Sequence, residues 1–222
     1  MNRGAIIDLV IVKMEEHTPF MPTGDSLLAG GDELDEVKPI YHYIEENLQE
    51  AADEMLLTAS LHRLDKIAVG WIPHESGNTS GEVNCGYYVS KPDDYLRLYS
   101  AKLKSWRRVV HEVVRPDDAM YALQYNPWTR GTAQKPVVVD KGDQHPLECF
   151  SAKEVHPTDN TEISNGEFKY IQHFNADTNY PKDVAELIAL NTARKVYEIF
   201  GNTEMVTQMT NEIKQVLQVM AT

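Results

Sequence analysis

The sequence predicts an α+β fold in which a helical bundle built from both chain ends carries an inserted β-rich module. Residues 39–66 and 181–220 contain long apolar stripes with helical spacing. Residues 67–170 contain short β-branched and aromatic runs separated by Gly, Pro and Asn, a pattern typical of an antiparallel β-sandwich or small barrel. These patterns divide the chain into a helical bundle, residues 1–66 and 167–222, and an inserted module, residues 67–166.

The first third of the chain predicts two helices separated by an acidic loop. Residues 3–16 have apolar residues at three- and four-residue steps, although their β-branched content would also suit a buried strand. Pro39 suits the first position of a second helix, whose apolar stripe continues to residue 66. The loop at residues 20–37 is interpreted as solvated and acidic. A calcium site is the alternative, but the loop lacks the EF-hand ligand spacing.

The last third predicts a helical hairpin. Pro181 again suits a first helical position, and Gly201 is a candidate for the residue that stops the helix. Thr203 is a candidate N-cap for a final helix. The short break between the two helices places them side by side.

The middle of the chain contains a series of candidate strands. A Gly-, Ser- and Asn-rich stretch at residues 74–82 predicts an exposed loop, and Pro92–Asp94, Gly131 and Gly142–Asp143 predict turns. The last candidate strand could instead be the entry to the C-terminal helices. The candidate strands are residues 67–73, 85–89, 95–103, 106–114, 120–124, 136–139, 147–150 and 168–174.

Composition and motifs favour a non-catalytic protein. The 222 residues include 34 acids and 21 bases, a net charge of −13 that opposes specific duplex binding by the whole surface. The longest apolar run is too short to span a bilayer. The chain has no phosphate loop, no GxGxxG after a strand and no HExxH. We therefore predict no enzyme, no catalytic residue and no cofactor.

The two cysteines predict free thiols in a cytosolic protein. A disulfide between Cys85 and Cys149 is an open alternative, since it depends only on their distance. His145 and Cys149 could share a metal ion if Cys85 approached them, but no CxxC pair supports such a site. The prediction is that no metal is bound.

One basic segment interrupts the acidic trend. Residues 91–115 contain seven bases and three acids, whereas residues 1–66 contain 14 acids and five bases. Trp, Tyr and Arg are the residues that most often anchor protein contacts. A basic β-module and an acidic helical module would allow head-to-tail packing of copies into a ring. The alternative is a polar strand face whose Arg stems cover apolar surface. The predicted interface residues are Trp106, Arg107, Arg108, Trp128 and Arg130.

Two stretches resemble phage head–tail connector proteins. The first is Pro92–Leu98 followed by Trp106 and Val109, and the second is Ala185–Leu190 followed by Arg194 and Tyr197. The chain is similar to the tail tubular protein A-like adaptors of short-tailed phages and to the ring proteins of crAss-like phages. The resemblance covers roughly residues 38–220 as architecture, by the pattern of its elements.

The resemblance implies a structural virion protein of the phage tail or neck, assembled in the host bacterial cytoplasm. It implies a homo-oligomeric ring, a dodecamer, that joins the portal protein to a downstream tail or nozzle protein. DNA would pass through the ring during ejection without specific binding, and no membrane is involved. An acidic lumen would repel the phosphate backbone, and its candidate lining residues are Glu46, Glu50 and Asp53.

Two other classes of function stay open at this point. The chain could be a small hydrolase or a carbohydrate-binding β-module on a helical scaffold. It could also be a monomeric adaptor that binds partners through Trp106 and Trp128.

Overall fold

The computed structural model has helices contributed by both chain ends and strands in the middle, so the predicted α+β class is confirmed. The helices are α1 (Arg3–His17), α2 (Ile40–Thr58), α3 (Ala119–Leu123), α4 (Lys182–Ile199) and α5 (Thr203–Met220). The strands are β1 (Val69–Trp71), β2 (Ser76–Asn78), β3 (Gly86–Val89), β4 (Tyr95–Lys102), β5 (Val113–Val114), β6 (Val137–Val139), β7 (Leu147–Phe150) and β8 (Glu167–Gln172). The structure describes residues 1–17, 40–71, 76–78, 86–126, 128–142, 145–150 and 166–221.

The chain divides into two compact units. The helical unit comprises Met1–Ile67 and His173–Thr222, and the β unit comprises Ala68–Gln172. The second division lies six residues beyond the predicted boundary at 166/167, because β8 is the central strand of a sheet and belongs with its neighbours. The predicted acidic loop with its calcium alternative, and Cys85, lie outside the described residues.

Helix α4 is the centre of the helical unit. It packs against α1, α2 and α5. Every residue from Leu187 to Ala193 is buried, which is the burial of a helix surrounded on all sides rather than packed along one stripe. Each fully buried Leu or Ile contributes about 1.5–3 kcal/mol relative to an exposed one. The apolar surface of α4 therefore holds the two ends of the chain in one core.

Polar side chains fix the register of the helices around α4. Asn191 is buried and donates hydrogen bonds to the carbonyl oxygen of Ala51 and to Glu54, each at 2.9 Å. The Tyr197 hydroxyl donates to the carbonyl oxygen of Met14 at 3.0 Å. A buried polar group without a partner is costly, so these bonds favour one arrangement of α1 and α2 on α4.

The helix ends refine the sequence prediction. Residues 3–16 are helical, which decides against the strand alternative. Helix α2 ends at Thr58 instead of reaching residue 66, because Ser60 has an extended backbone and two short 3₁₀ turns follow it. Gly201 has a φ of 69° and stops α4 as predicted. Asn202, rather than Thr203, caps α5 by accepting a hydrogen bond from the Met205 amide at 3.2 Å.

The β unit contains two sheets that share one apolar core. The first sheet has the strand order β1-β8-β4 and is antiparallel. The second has the order β2-β3-β7-β6-β5 and is antiparallel except for the parallel pair β5–β6. Side chains of both sheets meet in one buried cluster, among them Leu98 and Phe168 from the first and Val89, Val138 and Leu147 from the second. The arrangement is a sandwich of two sheets that are not closed into a barrel.

The region between β4 and β6 differs from the sequence prediction. Residues 106–114 were predicted to be one strand, but only Val113–Val114 forms β5, and Val110 makes an isolated bridge to Ala101. Residues 120–124 were predicted to be a strand and instead fall in and just after α3. This helix forms because Asp118 caps it, accepting a hydrogen bond from the Met120 amide at 2.8 Å. Residues Ser76–Asn78, which fall in the predicted loop at 74–82, instead form strand β2 and pair with β3.

We expect Asp53→Ala to destabilise the helical unit by about 1–3 kcal/mol. Asp53 accepts hydrogen bonds from the Phe174 amide at 2.7 Å and from His173 at 2.9 Å. The substitution leaves the partly buried Phe174 amide without its acceptor. Denaturant unfolding measures the change. Glu50→Ala, on the same helix at a well-exposed side chain, serves as the control and should cost less than about 1 kcal/mol. Equal losses for the two variants would contradict the assigned role of Asp53.

Candidate interaction surface

The most exposed large apolar side chain in the described chain is on the segment that connects β5 to β6. We call residues 115–136 the crossover segment, because a parallel strand pair requires a connection that crosses the sheet. Trp128 in this segment is 93 % exposed. Met120, Leu123 and Tyr125 of the same segment are also exposed. Exposed apolar side chains concentrated on one short segment are typical of an interaction site.

Hydrogen bonds hold the backbone on both sides of Trp128. Gln124 is fully buried; its amide nitrogen donates to the Met120 carbonyl, and its amide oxygen accepts from the Gly131 amide, each at 2.8 Å. The Thr129 hydroxyl donates to the Leu123 carbonyl at 2.8 Å, and the Trp128 amide donates to Asn126 at 2.9 Å. Trp128 is therefore presented from a braced turn, which lowers the entropy cost of binding through it.

Gly131 lets the crossover segment lie directly on the second sheet. A Cβ atom at this position would lie 2.9 Å from the carbonyl oxygen of Phe150 and 3.0 Å from the amide nitrogen of Val137. Both contacts are with backbone atoms, which cannot move aside cheaply. Gly131 is required here for this close approach and not for an unusual φ angle.

Below α3, the outer face of the second sheet combines a small apolar cluster with an ion pair. Val139 and Phe150 are buried there, with Tyr121 packed against them. Lys141 contacts Glu148 at 2.6 Å, and its ammonium group lies 5.6 Å from the centre of the Tyr121 ring. Glu148 is almost completely buried, so the positive charge of Lys141 compensates a carboxylate that could not otherwise be buried.

Tyrosine hydroxyls extend this ion pair towards the surface. The Tyr121 and Tyr125 hydroxyls are 2.8 Å apart. Burial, the bond to Tyr121 and the nearby Glu148 charge raise the pKa of Tyr125 to about 12. Burial and then the Glu148 charge also raise the pKa of Tyr88, which faces Glu148 across the β3–β7 pair. The base of the crossover segment is therefore a network of neutral phenols around one ion pair.

The predicted interface residues separate into surface and core. The Arg107 amide donates to the Ala133 carbonyl at 2.8 Å, so the structure brings the stretch containing Arg107 and Arg108 to the crossover segment. Arg107, Arg108 and Trp128 are exposed, and Arg130 is half-buried. Trp106 is only 3 % exposed and packs in the shared core of the two sheets, so its side chain is not a surface contact. The Trp106 amide donates a hydrogen bond to the Leu103 carbonyl, and this turn directs the Trp106 side chain into the core.

The predicted channel-lining acids all lie on α2 in the helical unit, and each has a partner. Glu50 contacts Lys195 at 3.0 Å, and Glu46 contacts His42 at 2.7 Å. Asp53 is mostly buried and accepts hydrogen bonds from His173 and from the Phe174 amide. The acids of α2 therefore do not form a bare negative stripe.

Glu54, the next acid on α2, also has cationic partners on α4. Burial alone would raise its pKa, but hydrogen bonds from Lys195 and Asn191 and the nearby Arg194 charge bring the pKa below its ordinary value. Lys195 bridges Glu50 and Glu54. These contacts connect α2 to α4.

Sequence reasoning missed Gln124, Gly131, Lys141 and Glu148 as parts of the site. The signal for α3 was present, because Asp118 followed by Ala119–Leu123 is a helix-start pattern. No sequence signal marks Gln124 or Glu148 as buried, since polar residues are usually exposed.

The comparisons with known proteins identify no family. A scan against protein-family models finds no match to this chain, and a search of curated proteins also finds none. Among the described residues, no three His, Cys, Asp or Glu side chains are grouped so that they could hold a metal ion. In the same part of the chain, no helix has both the length and the hydrophobicity that crossing a membrane requires. Cys149 is a buried free thiol in the core of the β unit.

We expect Gly131→Ala to destabilise the β unit by about 1–3 kcal/mol, because the added methyl group meets two backbone atoms. Gly4→Ala, at an exposed helical position where a Cβ atom meets only Asn2 at 3.8 Å, should be neutral or slightly stabilising. Thermal and denaturant unfolding of the two variants measure the difference. If Gly131→Ala is as stable as Gly4→Ala, the crossover segment does not lie as closely on the sheet as described.

The β unit should lose stability as the pH rises above about 10. Burial, with hydrogen bonding to Asp94, raises the pKa of Tyr170 to about 12, and Tyr125 has a similarly raised value. A group whose pKa is higher in the folded state stabilises the protein fully below its unfolded pKa. That contribution is lost as the pH rises through the folded pKa. The free energy of unfolding should therefore fall between about pH 10 and about pH 12.

Denaturant titrations across this range, with tyrosinate absorbance recorded in parallel, test this pH dependence. Tyr170→Phe removes one ionising group and should make the fall shallower than in the wild type. An identical fall in both proteins would show that Tyr170 does not contribute.

Proposed function

We propose that this protein is a non-enzymatic structural subunit of a ring that joins a phage portal to its tail. The observation that carries the proposal is the two-unit layout. The two ends of the chain form one helical core around α4, and a sandwich inserted between them carries the braced, exposed Trp128. This is the architecture that the resemblance to connector proteins implies.

The distribution of charge supports assembly from identical copies. The helical unit contains 20 acids and nine bases, whereas the β unit contains 14 acids and 12 bases. Within the β unit, the exposed Arg107 and Arg108 belong to the segment with a net charge of +4. The acidic helical unit and the basic 91–115 segment of the β unit favour contacts between the helical unit of one copy and the β unit of the next.

The role in DNA passage follows from the same proposal. A ring of subunits with a net charge of −13 would present a negative potential to DNA in its channel. Repulsion of the phosphate backbone lets a duplex slide without specific binding. Glu46 and Glu50, whose side chains are exposed, are the proposed lining residues, and Asp53 is left out because its side chain is mostly buried.

A carbohydrate-binding module is the second candidate function. The observation that favours it is Trp128, an exposed aromatic ring on a β-sandwich, with the exposed Tyr125 nearby in sequence. Aromatic faces can stack on apolar faces of other molecules, and a braced ring does so at low entropy cost. A carbohydrate-binding function would make no use of the difference in net charge between the two units. The carbohydrate-binding module is therefore the second candidate.

The ring proposal predicts that the protein forms a closed, higher-order oligomer with the portal protein encoded in the same genome. The two proteins are co-expressed, and the complex is examined by native mass spectrometry and negative-stain electron microscopy. We expect rings, and we expect the protein in purified virions at a constant ratio to the portal. A protein that stays monomeric with the portal and is missing from virions would contradict the proposal.

A further inference from the structure

We infer that the surface around Trp128 is the docking site for the outer face of α1 in a second copy of this chain. The inference rests on the proposed ring and names the two surfaces that meet in it. The Trp128 surface is defined as Arg107, Arg108, Met120, Leu123 and Trp128, all of which are exposed.

The Trp128 surface combines an apolar anchor with positive charge. Trp128 is 93 % exposed, and its backbone is held by the bonds of Gln124, Asn126 and Thr129. Arg107 is tied to the same segment through Ala133. Tryptophan and arginine anchor protein interfaces more often than other residues. Asp117 and Asp118, close to Met120 in sequence, are exposed as well, so the positive charge is local to the two arginines. A partner surface that complements the site carries acids to face these arginines and an apolar contact of its own.

The outer face of α1 has both properties. Its exposed positions Asp8, Val12, Glu15 and Glu16 recur at helical spacing, opposite the buried Ile6, Ile7, Val10 and Met14. Val12 is 44 % exposed between acidic residues. The neighbouring Lys13 has a mostly covered side chain and contacts Glu16 and Glu186, so Asp8 and Glu15 are the acids on which the inference relies.

The other described helices of the helical unit fit the Trp128 surface less well. On α2, Glu45, Glu46 and Glu50 already contact Arg3, His42 and Lys195. On α4, 11 of the 18 residues are buried, and the acids Asp183, Glu186 and Glu198 contact Arg63, Lys13 and Arg194. On α5, Val219 is well exposed, but the only acid at an exposed position of this helix, Glu204, lies four turns away from it, and Lys214 is the nearer charge. Charge complementarity therefore selects α1.

The resulting contact is head-to-tail. Each copy uses one surface of its β unit and a different surface of its helical unit, so every copy binds two neighbours. A heterologous contact of this kind generates a ring when its rotation closes. A single type of interface would thus be enough to build the proposed assembly.

A charge-swap experiment on the full chain tests the pair of surfaces. One variant carries Arg107→Glu with Arg108→Glu, and the other carries Asp8→Lys with Glu15→Lys. Each variant alone places like charges at the contact, so its apparent Kd for self-association on the portal should rise at least about tenfold. An equimolar mixture brings opposite charges together again at every contact. It should restore rings in which the two variants alternate, as seen by native mass spectrometry.

Two controls make the result specific. Lys66→Glu with Lys214→Glu makes the same change in net charge as the double arginine variant, at exposed positions of the helical unit, and should leave assembly unchanged. Trp128→Ala removes the apolar anchor without a charge change and should also raise the Kd by about tenfold. All substituted side chains are exposed, so melting temperatures should stay within a few degrees of the wild type.

The outcomes separate the inference from the ring proposal. If either charge-reversed variant assembles like the wild type, or if mixing fails to restore rings, the surface pair is wrong while the ring proposal stands. If Trp128→Ala assembles normally, Trp128 does not anchor the contact between copies and the inference is overturned. If the wild type forms no ring with the portal, both proposals fail.

Discussion

The burial of α4 on all sides is the constraint on which the rest of the helical unit depends. A helix with one apolar stripe can be covered by a single neighbour, but Leu187 to Ala193 are buried without interruption. Helices α1, α2 and α5 must all be present to cover it. Since α1 and α2 come from one end of the chain and α4 and α5 from the other, the helical unit needs both ends. The middle of the chain is left to form its own core between two sheets.

The parallel pairing of β5 and β6 is the corresponding constraint in the β unit. Parallel neighbours cannot be joined by a tight turn, so the chain must cross the sheet between them. The crossing is made over the outer face of the sheet, where Gly131 allows backbone contact and Gln124 satisfies buried backbone groups. Trp128 is exposed because it is at the turn of this crossing, beyond the layer that covers Val139 and Phe150. The most prominent surface feature is thus a consequence of sheet topology.

Charge has two different roles in the two parts of the chain. On α2, acids contact Lys195, Arg3 and His173 and contribute to the packing of the helical unit. Below α3, the single pair of Lys141 and Glu148 makes a buried carboxylate tolerable. Asp8 and Glu15 on the outer face of α1, and the exposed Arg107 and Arg108 beside the crossover segment, belong to neither packing role. Their complementarity is the physical basis for proposing contacts between copies.

The sequence by itself determined the existence and type of most elements, because helices and strands buried on one face repeat their apolar residues with periods near 3.6 and 2. It predicted α1, α4, α5, β4 and β7, and it located the stop at Gly201. It did not determine α3, the parallel pair or the role of Glu148, which depend on partners distant along the chain. Two of the three tryptophans show most clearly the difference between what the sequence and the tertiary structure determine. Trp106 and Trp128 each have arginine neighbours, yet one is a core residue and the other is exposed. Only the tertiary structure decided between them, since burial depends on what the rest of the chain places around a residue and not on its local neighbours.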